Sequence, residues 1–261
     1  MRFAIALLGL VVTGASLLHF PSDVGAITAR EVFEEAVKRN LGDNFRVVLT
    51  INTFKGKKPV SKHSLWLMGK TGKDSSSFVL DFEEPEESKG LRFLIVLAKA
   101  KVPSAYMYLP ATGRTIPLAA DDPSVDLGGT GLTMEDIDVF HLKGNEKSKI
   151  VGEENVNGRK CYKIEVSVPD GGGSRHVWVS KDSLLVVKSE NLDAGGKIDR
   201  KLVVREFFKT TQGTEFPREE EIVVPRRNAR IVVRQEHAVF GIELPEQLMD
   251  PKTFGTYEWR R

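Results

Sequence analysis

Carboxylates are concentrated around one glycine-rich segment of the sequence, where Asp121, Asp122, Asp136 and Asp138 lie near one another. Two carboxylates at a suitable separation can act as general acid and general base in hydrolysis. Aspartates in loops are more commonly turn formers and helix caps. A hydrolase that uses Asp121, Asp122 or Asp136 is therefore kept as an alternative, and the sequence favours a protein that is not an enzyme.

Other residues with chemical potential are isolated along the chain. The histidines after residue 26 are His63, His141, His176 and His237, and no two of them have the close spacing typical of metal ligands. Cys161 lies in an alternating apolar segment, which favours a small core residue over a nucleophile. The sequence thus implies no metal site and no cofactor.

The common catalytic and nucleotide-binding motifs are absent from the sequence. It contains no Gly-x-Ser-x-Gly, no His-Glu-x-x-His and no Gly-x-x-x-x-Gly-Lys-Ser/Thr pattern. Gly128 to Gly131 superficially resembles a phosphate-binding loop, but the lysine that would contact the phosphates is missing. We therefore expect a connecting loop at this position.

The composition is that of an ordinary folded chain. Its 261 residues are 41% hydrophobic and 28% charged, with one cysteine. This apolar fraction excludes a disordered chain, and a lone cysteine excludes a disulfide scaffold. Lysine and arginine number 38 against 36 aspartates and glutamates, so the net charge provides no general attraction for nucleic acid.

Residues 1–26 have the pattern of an export signal. Met1-Arg2 is a short basic start, Phe3 to Leu18 is almost entirely apolar, and Val24-Gly25-Ala26 supplies the small residues that signal peptidase requires. An uncleaved N-terminal anchor is the alternative. We predict cleavage near Ala26 and a soluble periplasmic product.

After the signal, the periodicity predicts one helix followed by many strands. Thr28 and Glu31 form a capping box, and the apolar spacing that follows predicts a helix that stops at Gly42. From Asn44 onward, apolar residues alternate with period two between turn residues, which predicts about eleven strands. The alternating segments are 45–51, 65–68, 78–82, 91–97, 106–109, 162–168, 177–179, 185–187, 202–208, 222–224 and 231–233. No helices long enough for parallel crossovers separate these strands, so the sheet is expected to be antiparallel.

Two short helices are predicted within this run of strands. Thr133 to Asp136 has the form of a cap before a helical turn, and Pro245 is well placed to begin a second turn. No linker-like change of composition divides the chain. Residues 27–261 are therefore expected to form a single domain.

Some strands are apolar on both faces, as in Leu91 to Ala98 and Lys201 to Phe208. In an antiparallel sheet this requires cover on the second face, by helices, by another chain or by an apolar ligand. Helices across the concave face of a curved sheet are the explanation we favour. The charged run Glu219 to Glu221, with Arg226-Arg227 and Arg230, is interpreted as a solvated hairpin with cross-strand ion pairs; a basic rim for an anionic partner is the alternative.

Several segments together resemble the outer-membrane lipoprotein-sorting (LolA-like) family, in its broad uncharacterized branch. The most specific segment is Tyr106 to Arg114, Tyr-Met-Tyr-Leu-Pro-Ala-Thr-Gly-Arg. Weaker matches are Phe82 to Pro85 with Lys89-Gly90, the Gly-Thr pair with Glu135-Asp136, Gly158 to Tyr162, Val177 to Val179 and Ala238 to Leu244. The resemblance covers most of residues 28–254 in order.

This resemblance implies a mainly β fold: a strongly curved antiparallel sheet, or incomplete barrel, with a few helices covering its concave face. It also implies an apolar cavity that shelters the acyl chains of lipids or lipoproteins, with membrane-bound donor and acceptor proteins as further partners. Transfer of a sixteen-carbon chain through water requires on the order of 10 kcal/mol of compensating apolar contact. A hollow half-barrel can supply this contact without catalytic groups.

Seven apolar side chains are the candidates for the cavity lining, although strand alternation does not assign the inward face. They are Trp66, Met68, Phe93, Ile95, Met107, Leu109 and Trp178. We predict a periplasmic carrier for lipid or lipoprotein bound for the outer membrane. The first alternative is a periplasmic module that senses lipid or lipoprotein and acts through a protein partner. The second alternative is that the hydrolase considered above acts on lipids through the loop carboxylates.

Overall fold

The computed structural model describes residues 27–41, 44–72, 74–98, 101–120, 122, 124–138, 146–167, 173–209 and 215–259. The predicted signal peptide of residues 1–26 lies outside this part of the chain, as do Gly42, Asp121 and His141. No described helix is long and apolar enough to cross a membrane.

A single antiparallel sheet of thirteen strands dominates the described structure. The strands are β1 Phe45–Lys55, β2 Lys58–Thr71, β3 Ser75–Glu84, β4 Arg92–Ala98, β5 Ser104–Leu109, β6 Arg114–Leu118, β7 Lys147–Val156, β8 Arg159–Ser167, β9 Ser174–Ser180, β10 Val186–Leu192, β11 Ile198–Lys209, β12 Glu215–Val224 and β13 Ala229–Phe240. Their order across the sheet is β6-β5-β4-β3-β2-β1-β13-β12-β11-β10-β9-β8-β7. The first and last strands of this order do not pair with each other, so the sheet is open.

The mainly β fold with a curved, open antiparallel sheet is confirmed, while the predicted number of eleven strands is too low. The two strands missing from the prediction are β6 and β7, which form the two edges of the sheet. Each has a neighbour on one side only, and most of its side chains are exposed or half-buried. Edge strands need no continuous apolar face, so their alternation is weak in the sequence.

Helix α1, Ala29–Leu41, begins with the predicted capping box. The Thr28 backbone amide donates to the Glu31 carboxylate at 2.8 Å, and the Glu31 amide donates to Thr28 Oγ1 at 3.2 Å. These two bonds satisfy amides that have no partner inside the helix. The buried side chains of α1 pack on one face of β8 to β10, against Ile164, Val166, Val177, Val179 and Val186.

The face of the sheet that α1 covers is called the inner face. The pairing of residues between strands identifies this face on the rest of the sheet. Val177 pairs with Ser189, Ser189 with Leu202, and Leu202 with Ile222. Directly opposed residues of antiparallel strands share a face. Leu202 and Ile222 belong to the main apolar core, which therefore lies on the same face as α1.

The segment from residue 124 to residue 138, called the plug here, covers the middle of the inner face. It contains the second helix, α2 Met134–Asp138, and its residues Leu127, Leu132 and Met134 are buried in the main core. The predicted cap before α2 is present, because the Thr133 amide donates to the Asp136 carboxylate at 2.8 Å. Helix α1 and the plug with α2 thus cover the inner face of the sheet.

The C-terminal residues cover part of the opposite, outer face. Leu248 and Phe254 are buried against Met68, Val79 and Leu94 of β2, β3 and β4. The helix predicted to begin at Pro245 is a single 3₁₀ turn, Glu246–Leu248. Strand β4 is apolar on both faces because its inner face belongs to the main core and its outer face is covered by the C-terminal segment.

Candidate ligand-binding site

An apolar cavity of about 160 Å³ lies on the inner face, between the sheet and the plug. Strands β1, β2, β11, β12 and β13 contribute most of its walls. Its apolar lining consists of Phe45, Val47, Leu49, Leu67, Phe78, Leu97, Leu132, Ile137, Leu202, Phe216, Pro217, Ile222, Val233 and Phe240. The polar lining residues are Asp136, Glu220 and Gln235. A cavity of this size and character resembles engineered apolar cavities of about 150 Å³ that bind benzene.

Alternation within each strand explains why these residues face the cavity. Val47 pairs with Leu67, and Leu49 pairs with Gln235, so these pairs line it from adjacent strands. Phe216 and Phe240 add an aromatic wall, with ring centroids stacked 4.1 Å apart. The wall contributed by the plug consists of Leu132, Asp136 and Ile137. A movement of the plug would therefore open the cavity.

Glu220 places a carboxyl group in this apolar lining. It lies on β12 directly opposite Val204 of β11 and Val233 of β13, both of which are buried. Burial, with a smaller contribution from the charge of Asp136, raises the pKa of Glu220 to about 7. Within the described part of the chain, no hydrogen-bond donor or cation contacts this carboxyl group. Its neutral form is therefore well populated near neutral pH.

Asp136 is held by an ion pair with Arg200 that closes one side of the cavity. Both side chains are buried, and the Arg200 guanidinium donates to both carboxylate oxygens of Asp136. Burial raises the pKa of the Asp136 carboxyl, and the charge of Arg200 opposes this effect. Arg200 also donates to the Gly131 carbonyl at 3.1 Å. One side chain on β11 thus fastens two points of the plug to the sheet.

The loop Gly128 to Gly131 has a structural role inside the plug. The amides of Gly129 and Gly131 donate to the carboxylate of Asp126, and Thr53 Oγ1 donates to the Thr130 carbonyl at 2.6 Å. The two glycine amides that could have contacted a phosphate are bound within the loop. This geometry agrees with the connecting loop expected from the sequence.

The seven residues predicted to line a cavity lie on both faces of the sheet. Phe93, Ile95 and Met107 belong to the inner-face core beside the cavity, and Leu109 follows Met107 with the same alternation. Trp66 and Met68 lie on the outer face with the C-terminal segment.

Trp178 is also on the outer face, where it packs with Cys161 and Val187. None of the seven is among the residues that line the 160 Å³ cavity. A ligand-binding role for them stays a prediction.

Glu220 is not among the residues predicted to line a cavity, because it belongs to the charged run interpreted as a solvated hairpin. That interpretation fits its neighbours: Glu219 contacts Arg234 at 2.9 Å, and Glu221 contacts Arg205 and Arg230. The position of Glu220 in the alternation of the strand indicates which face it occupies. It lies two residues before Ile222 and four before Val224, which places it on their buried face.

The other described candidates for chemistry have structural contacts of their own. Asp122 accepts hydrogen bonds from the amide and hydroxyl of Ser124, as expected of a turn former. His63 is buried against Phe82, His176 pairs with Glu165, and Cys161 is fully buried. Among the residues described by the structure, no group of three or more histidine, cysteine or acidic side chains could hold a metal ion.

Replacing Glu220 with glutamine is expected to stabilise the protein at pH 8 and to leave its stability unchanged at pH 4. At pH 4, below the ordinary pKa of 4.5, the carboxyl is mostly neutral in the folded and the unfolded protein. Above its ordinary pKa of 4.5, the unfolded protein loses this proton while the folded protein retains it until about pH 7. The wild type therefore loses stability between these pH values, and the glutamine variant does not.

We expect the melting temperature of Glu220→Gln to exceed that of the wild type by at least about 2 °C at pH 8. Thermal unfolding followed by circular dichroism at both pH values measures this difference. Glu219→Gln, on the outer face of the same strand, serves as the control. An equal difference at pH 4 and pH 8 would contradict the raised pKa.

Comparison with known proteins gives a family and a fold. A family model described as an uncharacterized protein matches residues 74–255. No functionally curated protein matches the sequence significantly.

Three solved structures share the fold over nearly their whole length. A DUF1329 family protein from Desulfovibrio piger has a TM-score of 0.72 and 19% identity, over 85% of this chain and 97% of the other. A domain described as an outer membrane lipoprotein-sorting protein domain, from Vibrio parahaemolyticus, has a TM-score of 0.76 and 16% identity, over 86% and 97%. A LolA superfamily protein from Nitrosomonas europaea has a TM-score of 0.64 and 16% identity, over 86% and 98%.

Proposed function

Since the chain belongs to an uncharacterized LolA-like protein family, matched over residues 74–255, we propose that it is a periplasmic carrier of acyl chains. In this proposal residues 1–26 are an export signal cleaved near Ala26, and residues 27–261 form a single LolA-like domain. The cargo is a lipid or lipoprotein in transit toward the outer membrane. Membrane-bound donor and acceptor proteins are its further partners.

The observation that carries this proposal is the apolar cavity between the sheet and the plug. Fourteen of its lining residues are apolar, and they come from seven strands and the plug. Each methylene that leaves water for such a cavity contributes about 0.8 kcal/mol. The binding of an acyl chain therefore needs no catalytic group and no cofactor.

The size of the cavity assigns a role to the plug. At about 160 Å³ it accommodates only a short part of an acyl chain in this conformation. In our proposal the plug moves outward when a chain enters, and Leu132 and Ile137 then contact the chain rather than the sheet. The polar fastenings at Thr130, Gly131 and Asp136 set how readily this movement occurs.

Native mass spectrometry of protein purified from the periplasm tests the carrier function. We expect a bound mass that corresponds to a lipid or an acylated peptide, and we expect the delipidated protein to take up fluorescent acyl probes. The absence of any bound lipid, together with no uptake of these probes, would refute the proposal.

A further inference from the structure

Glu220 places a carboxyl group in the lining of an apolar cavity, and no side chain in the described part of the chain forms a hydrogen bond with it. Glu220 is half-buried, and its carboxyl group lies where a polar atom of a bound ligand can form a hydrogen bond with it. Val204 and Val233 flank it on the neighbouring strands, and neither offers a hydrogen bond through its side chain. A ligand in the cavity would meet this carboxyl group directly.

We propose that Glu220 is a specificity-determining residue that donates a hydrogen bond, in its neutral form, to an uncharged oxygen of the acyl ligand, such as an ester or amide carbonyl. This inference rests on the proposed carrier function. It adds that the cavity recognises a polar linkage as well as a hydrocarbon chain.

The groups that face Glu220 favour the neutral carboxyl. The apolar neighbours are Val204 on β11, Val233 on β13 and Ile137 on α2, and Gln235 on β13 is uncharged. The charged groups are Asp136 on α2 and its partner Arg200 on β11, which neutralise each other. No cation in the described residues is left to stabilise an ionised Glu220, and the nearest charge that affects it is the negative charge of Asp136.

The same surroundings distinguish between ligand classes. An anionic fatty acid would bring an unpaired negative charge into an apolar cavity, which is unfavourable. An alkane would leave the Glu220 hydroxyl without an acceptor. An ester or amide carbonyl accepts the hydrogen bond and brings no charge, so it is the class that this lining fits.

The experiment compares two uncharged ligands of equal chain length, methyl dodecanoate and dodecane. Their affinities are measured by displacement of the neutral fluorophore N-phenyl-1-naphthylamine from the full chain at pH 5.5 and pH 8.5. Because the two ligands differ in solubility, the measured quantity is the ratio of their affinities in each variant. The variants are Glu220→Gln, which keeps a donor, Glu220→Leu, which has none, and the control Glu219→Gln.

At pH 5.5 we expect the ratio of ester affinity to alkane affinity to be about threefold to tenfold higher in the wild type than in Glu220→Leu. This advantage should disappear at pH 8.5, where Glu220 is ionised. Glu220→Gln should keep the advantage at both pH values, and Glu219→Gln should behave like the wild type. If Glu220→Leu does not fold, the pH dependence of the wild type and its loss in Glu220→Gln decide the question.

Two results would overturn the inference. One is an ester-to-alkane ratio that does not differ between the wild type and the Glu220 variants at either pH. The other is tight binding of dodecylamine at pH 8.5 that Glu220→Gln abolishes, because it would assign Glu220 to a cationic ligand. Failure of the wild type to bind the fluorophore or either ligand at any pH would instead refute the carrier function itself.

Discussion

Replacing Arg200 with methionine is expected to lower the free energy of unfolding by about 3–5 kcal/mol. The substitution leaves the Asp136 carboxylate buried beside the cavity without its counter-ion, and it removes the hydrogen bond to the Gly131 carbonyl. Breaking a buried ion pair costs more than the pair contributes, because the remaining charge loses its hydration without compensation. Urea denaturation monitored by tryptophan fluorescence measures the change.

Two further variants separate this mechanism from a general loss of packing. The double variant Arg200→Met with Asp136→Leu removes both charges and should recover much of the lost stability. Arg226→Met breaks contacts of an arginine that is 62% exposed and should change the stability by no more than about 1 kcal/mol. Equal losses for Arg200→Met and Arg226→Met would show that the buried pair does not hold the plug.

Replacing Leu67 with glutamate is expected to weaken the binding of an uncharged acyl probe by at least about tenfold. Leu67 is half-buried and lines the cavity from β2, opposite Val47. A carboxylate at this position must lose its hydration when a hydrocarbon chain enters, and a loss of about 1.4 kcal/mol is already tenfold in affinity. Fluorescence titration with a neutral acyl probe measures the effect.

Val60→Glu is the matched control, because Val60 lies on the same strand and is 62% exposed. It introduces the same charge outside the cavity and should leave the affinity unchanged. Circular dichroism of both variants establishes that they are folded. Equal affinities of the wild type and Leu67→Glu for the probe would place the binding site elsewhere.

The fold could be predicted from the sequence because alternation survives wherever one face of a strand is buried. In β1, Phe45, Val47, Leu49 and Ile51 are all buried and their neighbours are half-buried, which is the period-two pattern that predicts a strand. The capping box at Thr28 and the cap formed by Asp136 on the Thr133 amide likewise depend on residues three apart. Such short-range patterns are visible in one sequence.

The edge strands and the identity of the cavity face could not be predicted in this way. In β7 most side chains are exposed, so hydrogen bonding to β8 alone defines it as a strand. Both faces of β2 are apolar: Leu67 faces the cavity, while Trp66 and Met68 face the C-terminal segment. The covering segment is separated from β2 by most of the chain, and only the folded structure brings them together.

The site depends on pairings of the same long range. Asp136 precedes its partner Arg200 by 64 residues, and the cavity lies where β1 meets β13. Glu220 looks like any member of an acidic run until the register assigns it to the buried face of β12. The role of Glu220 depends on the face of the sheet to which its side chain points. The type of residue does not reveal this face, so predicting the role requires the register of the sheet.

The most direct test of the acyl-binding cavity locates a bound chain by nuclear magnetic resonance. The ligand is an uncharged fatty-acid ester with a nitroxide on its acyl chain, which broadens the signals of nearby methyl groups. We predict the strongest broadening at Val47, Leu49, Ile222 and Val233, which line the cavity. Unaffected signals at these residues, with broadening confined to exposed positions such as Val60 and Val102, would contradict the account.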